Sequence, residues 1–135
     1  MTMRAALATL MCALLGACST LMPESAQRAN VSLSDADSGA DRFVKAGDII
    51  EISLPANHTT GFTWGFVADS ATTVVSLGQP QYVQNAGTGL GRGGVEKWRF
   101  RANRAGTQTL RFEYRRPADR TTPPSRTASF NIRVN

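Results

Sequence analysis

A hydrolase needs a nucleophile, a base and often a metal ligand, and for these roles the 135-residue chain offers one histidine, His58, and two cysteines, Cys12 and Cys18. Nucleophilic catalysis requires a Ser or Cys beside a base that a third group orients. No G-x-S-x-G elbow is present to expose a serine. A metal site requires several His, Cys or carboxylate ligands at suitable spacing, and none clusters near His58 in the sequence. The run Asn85–Gly94 is rich in glycine (Gly87, Gly89, Gly91, Gly93, Gly94). It leads into a strand pattern and lacks the Lys-Ser/Thr ending of a phosphate loop. The sequence therefore predicts no catalytic residues, no cofactor and no metal.

What remains is recognition by shaped loops. Asn57-His58-Thr59-Thr60-Gly61-Phe62 follows Pro55, which ends a strand by withholding a ladder donor. Asn57 and the two threonines can bond nearby backbone and hold a turn. Gly61 permits a positive φ or a close backbone approach. A compact, pre-shaped loop lowers the entropy cost of binding, although a well-made connection would look the same. A second loop, Asn85 to Gly94, presents bare backbone for a partner's surface or is a loose hairpin connection. The third runs from Arg115 to about Arg126, with Thr121-Thr122-Pro123-Pro124 stiffening its far half. Asn57-His58-Thr59 also matches a glycosylation sequon, a weak signal here.

Period-two alternation supplies the elements that hold these loops. Ile50, Ile52 and Leu54 alternate with Glu51 and Ser53. Trp98, Phe100 and Ala102 alternate with Lys97, Arg99 and Arg101. Leu110, Phe112 and Tyr114 form a third run, and Ala128, Phe130, Ile132 and Val134 a fourth. Further strands are expected near Val31 and Leu33 and around 63–67, 73–77 and 81–83. Ala46-Gly47-Asp48 and Ala105-Gly106-Thr107 signal turns. No window has a helical period. One apolar and one wet face per strand reads as an all-β, antiparallel β-sandwich of about seven strands, with Trp64 and Trp98 between the sheets. Lys97, Arg99 and Arg101, with Arg111 and Arg133 expected on neighbouring strands, read as the solvated face of a sheet. That row has no interleaved aromatic platform for single-stranded nucleic acid, so no nucleic-acid partner is expected.

Taken together, the three loops resemble those of the chagasin family of cysteine-protease inhibitors. That family is an immunoglobulin-like β-sandwich with an N-P-T-T-G-[YF] loop, a G-x-G-G loop and an R-P-W loop at one end. Here Asn57–Phe62, then Gly91-Arg92-Gly93-Gly94, then Arg116-Pro117-Ala118 occupy those places, and the resemblance covers most of the chain from about Asp41. It implies a reversible, competitive inhibitor of papain-like cysteine proteases that wedges three loops into the active-site cleft. The residues matching Thr59, Thr60 and Gly61 would lie nearest the enzyme's Cys and His, with Thr60 central. Two positions depart from the family: His58 stands for proline and Ala118 for tryptophan. Losing an aromatic anchor can cost about 2 kcal/mol or more, so Ala118 is expected to weaken binding or change the preferred protease. The alternative is an envelope lipoprotein whose sandwich binds cell-wall material or another protein without inhibiting anything. A monomer is expected in either case.

The N-terminus bears on location. Arg4 precedes an apolar stretch, Ala5–Ala17, too short to span a bilayer but fit for a signal-peptide core. It ends in Leu15-Gly16-Ala17-Cys18, which looks like a bacterial lipobox. Cleavage before Cys18 and acylation of its thiol would leave a lipid anchor, stable with two or more chains. Cys12 would depart with the signal, so no disulfide is expected. The expected organisation is a signal peptide over 1–17, a lipidated Cys18 and tether over 18–40 leading into the first strand, and a sandwich over 41–135. The location would be the cell envelope, on the periplasmic side of the outer membrane. The formal net charge of +5 favours acidic surfaces but says little about fold.

Overall fold

The computed structural model describes residues 31–135; the expected signal peptide over 1–17, the expected lipidation site Cys18 and most of the expected tether over 18–40 lie outside the described residues. Among the described residues the strands are β1 (Val31–Ser34), β2 (Asp41–Val44), β3 (Ile49–Ala56), β4 (Thr63–Val67), β5 (Val74–Ser76), β6 (Gln81–Gln84), β7 (Gly94–Ala102), β8 (Gly106–Arg115) and β9 (Arg126–Val134). Short 3-10 turns occupy Asp35–Asp37 and His58–Thr60. One sheet has the order β1-β3-β7-β5, with β6 also pairing with β7; the other has the order β2-β9-β8-β4. This is the expected β-sandwich, with more strands than the expected seven or so.

The surplus includes β2, which the alternation hid because its one large apolar side chain, Phe43, points outward and is 69% exposed. The guanidinium of Arg133 lies over that ring at 5.9 Å. The long pairs are antiparallel, but β1–β3 and β2–β9 run parallel. A parallel neighbour needs a crossover. Here the chain makes it by visiting the opposite sheet, from β1 across the Asp35–Asp37 turn to β2, and back to β3.

The core is the inward phase of each alternating run. Ile50, Ile52 and Leu54, with Phe100 beside them in the same sheet, face Leu110, Phe112, Phe130 and Ile132 of the other, all at most 1% exposed. Phe112 sits at the centre, with ring centroids 5.4 Å from Trp98 and 6.0 Å from both Phe100 and Phe130. Burying each such side chain contributes about 2 kcal/mol. Trp64 and Trp98 are both buried between the sheets, as expected. The basic row is divided: Lys97, Arg99 and Arg101 lie on β7, whereas Arg111 and Arg133 lie on β8 and β9 of the other sheet. They do not form the single face that the sequence suggested, because β7 and β8, though consecutive, belong to different sheets.

Two polar residues break the apolar inward phase. Gln108, beside Leu110, accepts the Val74 N–H at 2.8 Å and donates to Asp69 at 3.0 Å. Glu96, in phase with Trp98, is 2% exposed and belongs to the loop end of the molecule.

The register fixes which loops share that end. Ala56 pairs with Gly94, and so does Gln84, in the first sheet. Thr63 pairs with Arg115, and Tyr114 with Arg126, in the second. The connections 57–62, 85–93 and 116–125 therefore leave the sandwich together. The opposite end carries tight turns such as Lys45–Asp48, where the Asp48 carboxylate accepts the Lys45 N–H at 2.9 Å.

Candidate functional site: three loops at one end

The turn 57–62 is built around Asn57. Its side-chain oxygen accepts from the Thr59 N–H at 3.2 Å and the Thr59 hydroxyl at 2.6 Å, the cap that the sequence suggested. Its carbonyl accepts from the Thr60 hydroxyl at 2.7 Å and the Thr60 N–H at 3.2 Å. Gly61 then closes the turn at φ 77°, where its N–H meets the His58 carbonyl at 3.1 Å. Both threonine hydroxyls are thus turned inward. The exposed surface of Thr59 and Thr60 offers a partner methyl groups and backbone, with no activated nucleophile.

This turn is fastened to both sheets. The Asn57 N–H donates to the Tyr114 hydroxyl on β8 at 2.9 Å. The Trp64 indole donates to the Pro55 carbonyl at 2.9 Å, bracing the two strands that flank the turn. His58 Nε2 lies 2.8 Å from Glu96 Oε1 on β7, and the same oxygen accepts the Trp64 backbone N–H at 3.1 Å. The imidazole also stacks on Tyr82 of β6, with centroids 3.9 Å apart and planes inclined at 17°.

The glycine-rich loop is tied to the first. The Asn57 carboxamide donates to the Gly91 carbonyl at 3.1 Å. Arg92 folds back over its own loop, donating to the Asn85 carbonyl at 2.6 Å and the Gly89 carbonyl at 3.1 Å. The Asn85 N–H meets the Gly93 carbonyl at 3.0 Å and closes the base. Gly94 is glycine for the fold: a Cβ there would stand 2.4 Å from the Val83 carbonyl and 2.8 Å from the Tyr82 ring. Gly94 is itself buried, where β6 and β7 pair. Gly91, at φ 76°, is exposed and stays available to a partner.

The third loop touches the first through one stack. The Arg116 guanidinium lies 4.9 Å from the Phe62 ring centroid, and Phe62 packs on Tyr114 at 5.5 Å. Beyond it, Pro117 and Ala118 are exposed. Asp119 orders the remainder, accepting from the Thr121 N–H at 3.1 Å, its hydroxyl at 3.1 Å and the Thr122 N–H at 3.0 Å. The Thr122 hydroxyl, its backbone N–H and the Thr121 hydroxyl hold the Asp119 carboxyl down to about 2. The far half is thus stiffened by a carboxylate cap beside the expected Pro123-Pro124.

The structure brings together at one end Asn57, His58, Thr59, Thr60, Gly61 and Phe62, with Gly91, Arg92, Gly93 and Gly94, and with Arg116, Pro117 and Ala118. Residues 43–134 match the sequence model of the chagasin family peptidase inhibitors. The chain belongs to the chagasin family. Chagasin from Trypanosoma cruzi is 33% identical over 88 residues, covering 63% of this chain and 80% of that protein. The cysteine protease inhibitor EhICP2 from Entamoeba histolytica superposes with a TM-score of 0.69 at 20% identity, over 78% of this chain and 95% of that one. PbICP-C, solved in complex with falcipain-2, superposes with a TM-score of 0.51 at 17% identity, over 81% and 93%. At these identities the two structures speak to the fold, an immunoglobulin-like β-sandwich. Family membership makes the chain an inhibitor and not an enzyme.

Sequence reasoning missed the residues beneath the chagasin-family loops: Glu96, Tyr82 and Tyr114. A signal existed for Glu96. It is a charge in the inward phase of Glu96-x-Trp98-x-Phe100-x-Ala102, and such a residue must find a partner in the interior.

Proposed function

We propose that the protein inhibits papain-like cysteine proteases reversibly and competitively, presenting 57–62, 85–93 and 116–125 as a wedge for the active-site cleft. The observation that carries this reading is the Asn57-centred turn. Its shape is fixed by its own side chains and by Tyr114 before any partner arrives, so little ordering entropy is lost on binding. Thr60 stands at the tip, where a cleft residue would meet its methyl group and backbone. The turn need not present a scissile carbonyl in attack geometry to the enzyme's thiolate. Rigid complementarity over about 1,600 Å² would supply the affinity. The test is a papain activity titration with the purified protein. Stoichiometric, reversible loss of activity is expected; full activity at micromolar inhibitor would leave the interaction-module alternative in place.

The same proposal includes an anchored location, with Cys18 lipidated and the domain held in the cell envelope as a monomer. One feature of the fold supports it. Val31 pairs with Ile50 at the start of β3, and β3 runs from there toward Ala56 and the loops. The chain therefore enters the sandwich at the end away from the wedge, and a tether from that end would leave the loops facing outward. Cys18→Ser should move the protein from the membrane fraction to the soluble fraction. Retention on the membrane would remove Cys18 as the anchor.

A further inference from the structure

We propose that Glu96 is the positioning residue of the first binding loop, holding His58 from inside the sandwich and so fixing the turn that carries Thr59 and Thr60. The proposal rests on the inhibitor reading for its consequence, but its structural half stands alone.

The chemistry begins with burial. Glu96 is 2% exposed on a strand whose other inward residues are Trp98, Phe100 and Ala102. A carboxylate in such a place is costly without a compensating partner. Among the described residues lining the recess around it, no Lys or Arg appears, and His58 is the basic group. One carboxylate oxygen takes both contacts, His58 Nε2 at 2.8 Å and the Trp64 N–H at 3.1 Å. The single atom thereby joins His58, the first residue of the 3-10 turn, to Trp64 near the start of β4, which the loop leads into. Tyr82 completes the hold by stacking face to face with the imidazole.

His58 is the first residue of the 3-10 turn, and Asn57 before it is extended at φ −134° and ψ 95°. That is extended backbone, the broad region to which a residue before proline is also confined, and proline is favoured at the first position of a helical turn. Proline could fix this backbone covalently; this chain fixes it through a side chain reaching Glu96. The turn's rigidity is thus supplied from the core, and Glu96, which no protease would touch, sets how well the loop is presented.

The test is a two-residue cycle read in two ways. Glu96→Gln keeps the volume and an acceptor for the Trp64 N–H, and removes the charge. His58→Pro replaces the hold with a ring. In the free protein, hydrogen exchange at the Thr60 and Gly61 amides should rise about tenfold in Glu96→Gln, while core amides on β8 keep their protection. In complex with papain, Glu96→Gln should dissociate about tenfold faster than the wild type. In the His58→Pro background, adding Glu96→Gln should change dissociation by less than about twofold. An equal penalty in both backgrounds would overturn the proposal, since Glu96 would then act through general stability. Unchanged exchange at Thr60 and Gly61 in Glu96→Gln would overturn it as well. Should the wild type fail to inhibit papain, the inhibitor reading falls, while the exchange measurement still decides whether Glu96 holds the loop.

Discussion

The loops 57–62 and 116–125 flank the same end of the sandwich and are fastened in different ways. The first, besides its own Asn57 cap, is fastened outward to its surroundings: by hydrogen bonds to Tyr114 on β8, Glu96 on β7 and Gly91 in the neighbouring loop, and by a stack on Tyr82 of β6. The third is bonded mainly to itself, through Asp119 and the threonines that follow. Its link to the first loop is the stack of Arg116 on Phe62. A loop fixed by the body keeps its shape under the load of a partner, and suits the residue that must enter a cleft. A self-capped loop keeps its local form while its tip is free to vary, and Ala118 stands at that tip. The difference suggests where the chain can change without losing its fold: target preference at 117–118, inhibitory competence at 57–61.

The sharpest break of this comparison is at Thr60. Thr60→Arg adds bulk at an exposed tip, so papain inhibition should fall by more than about a hundredfold. The melting temperature should hold within about 1–2 °C, because no core contact changes. Preserved inhibition would remove the 57–62 turn from the interface. Next in size is Ala118→Trp. If the third loop docks beside the cleft, an added aromatic anchor should tighten binding about tenfold, mainly by slowing dissociation. A flat affinity would mean that the free tip does not meet the enzyme.

A smaller effect separates outward from inward fastening. Tyr114→Phe removes the hydroxyl that accepts the Asn57 N–H and keeps the ring between Phe62 and Trp64. Stability should drop by about 1 kcal/mol. Binding should weaken about fivefold through a faster off-rate, as expected of a loop held by the body. If stability falls and the off-rate stays, the bond braces the sandwich but not the wedge.

Much of this was legible because two-fold alternation is a strong signal. The runs at 50–54, 98–102, 110–114 and 128–134 fall in the observed strands β3, β7, β8 and β9, and their apolar phase is the core. β2 was hidden for the opposite reason: Phe43 faces out, stabilised by Arg133, so its pattern contradicts its burial. The parallel pairings of β1 with β3 and of β2 with β9 were hidden because they depend on crossovers that no local pattern records. In the loops, the order of Asn57, Thr59, Thr60 and Gly61 disclosed a self-capped turn, since those bonds span few residues. What holds that turn to the body was not legible, because His58 and Glu96 are 38 positions apart in the chain and Asn57 and Tyr114 are 57 apart. Residues this distant meet only once both sheets are in register.

The least effect expected, and the one that isolates the self-capped loop, is at acid pH. Asp119 caps 121–122 with a carboxylate, whereas Asn57 caps Thr59 with a neutral carboxamide that does not titrate. With its pKa held at about 2, against 3.8 ordinarily, Asp119 favours the ordered loop fully above the ordinary value. That contribution declines as the pH falls below it and is lost as the pH passes through about 2. The Thr121 and Thr122 amide resonances should therefore shift with a midpoint near 2, in a range where the Phe112 ring signals remain native. Because Asp119 caps a surface loop away from the core, the melting temperature should barely move, and Asp119→Ala at neutral pH should reproduce the loosened loop and cost about twofold in papain affinity. A midpoint near the ordinary carboxylate value would mean that the cap does not form in solution. The third loop would then be held by Arg116 on Phe62, and its tip could not be treated as independent of the first.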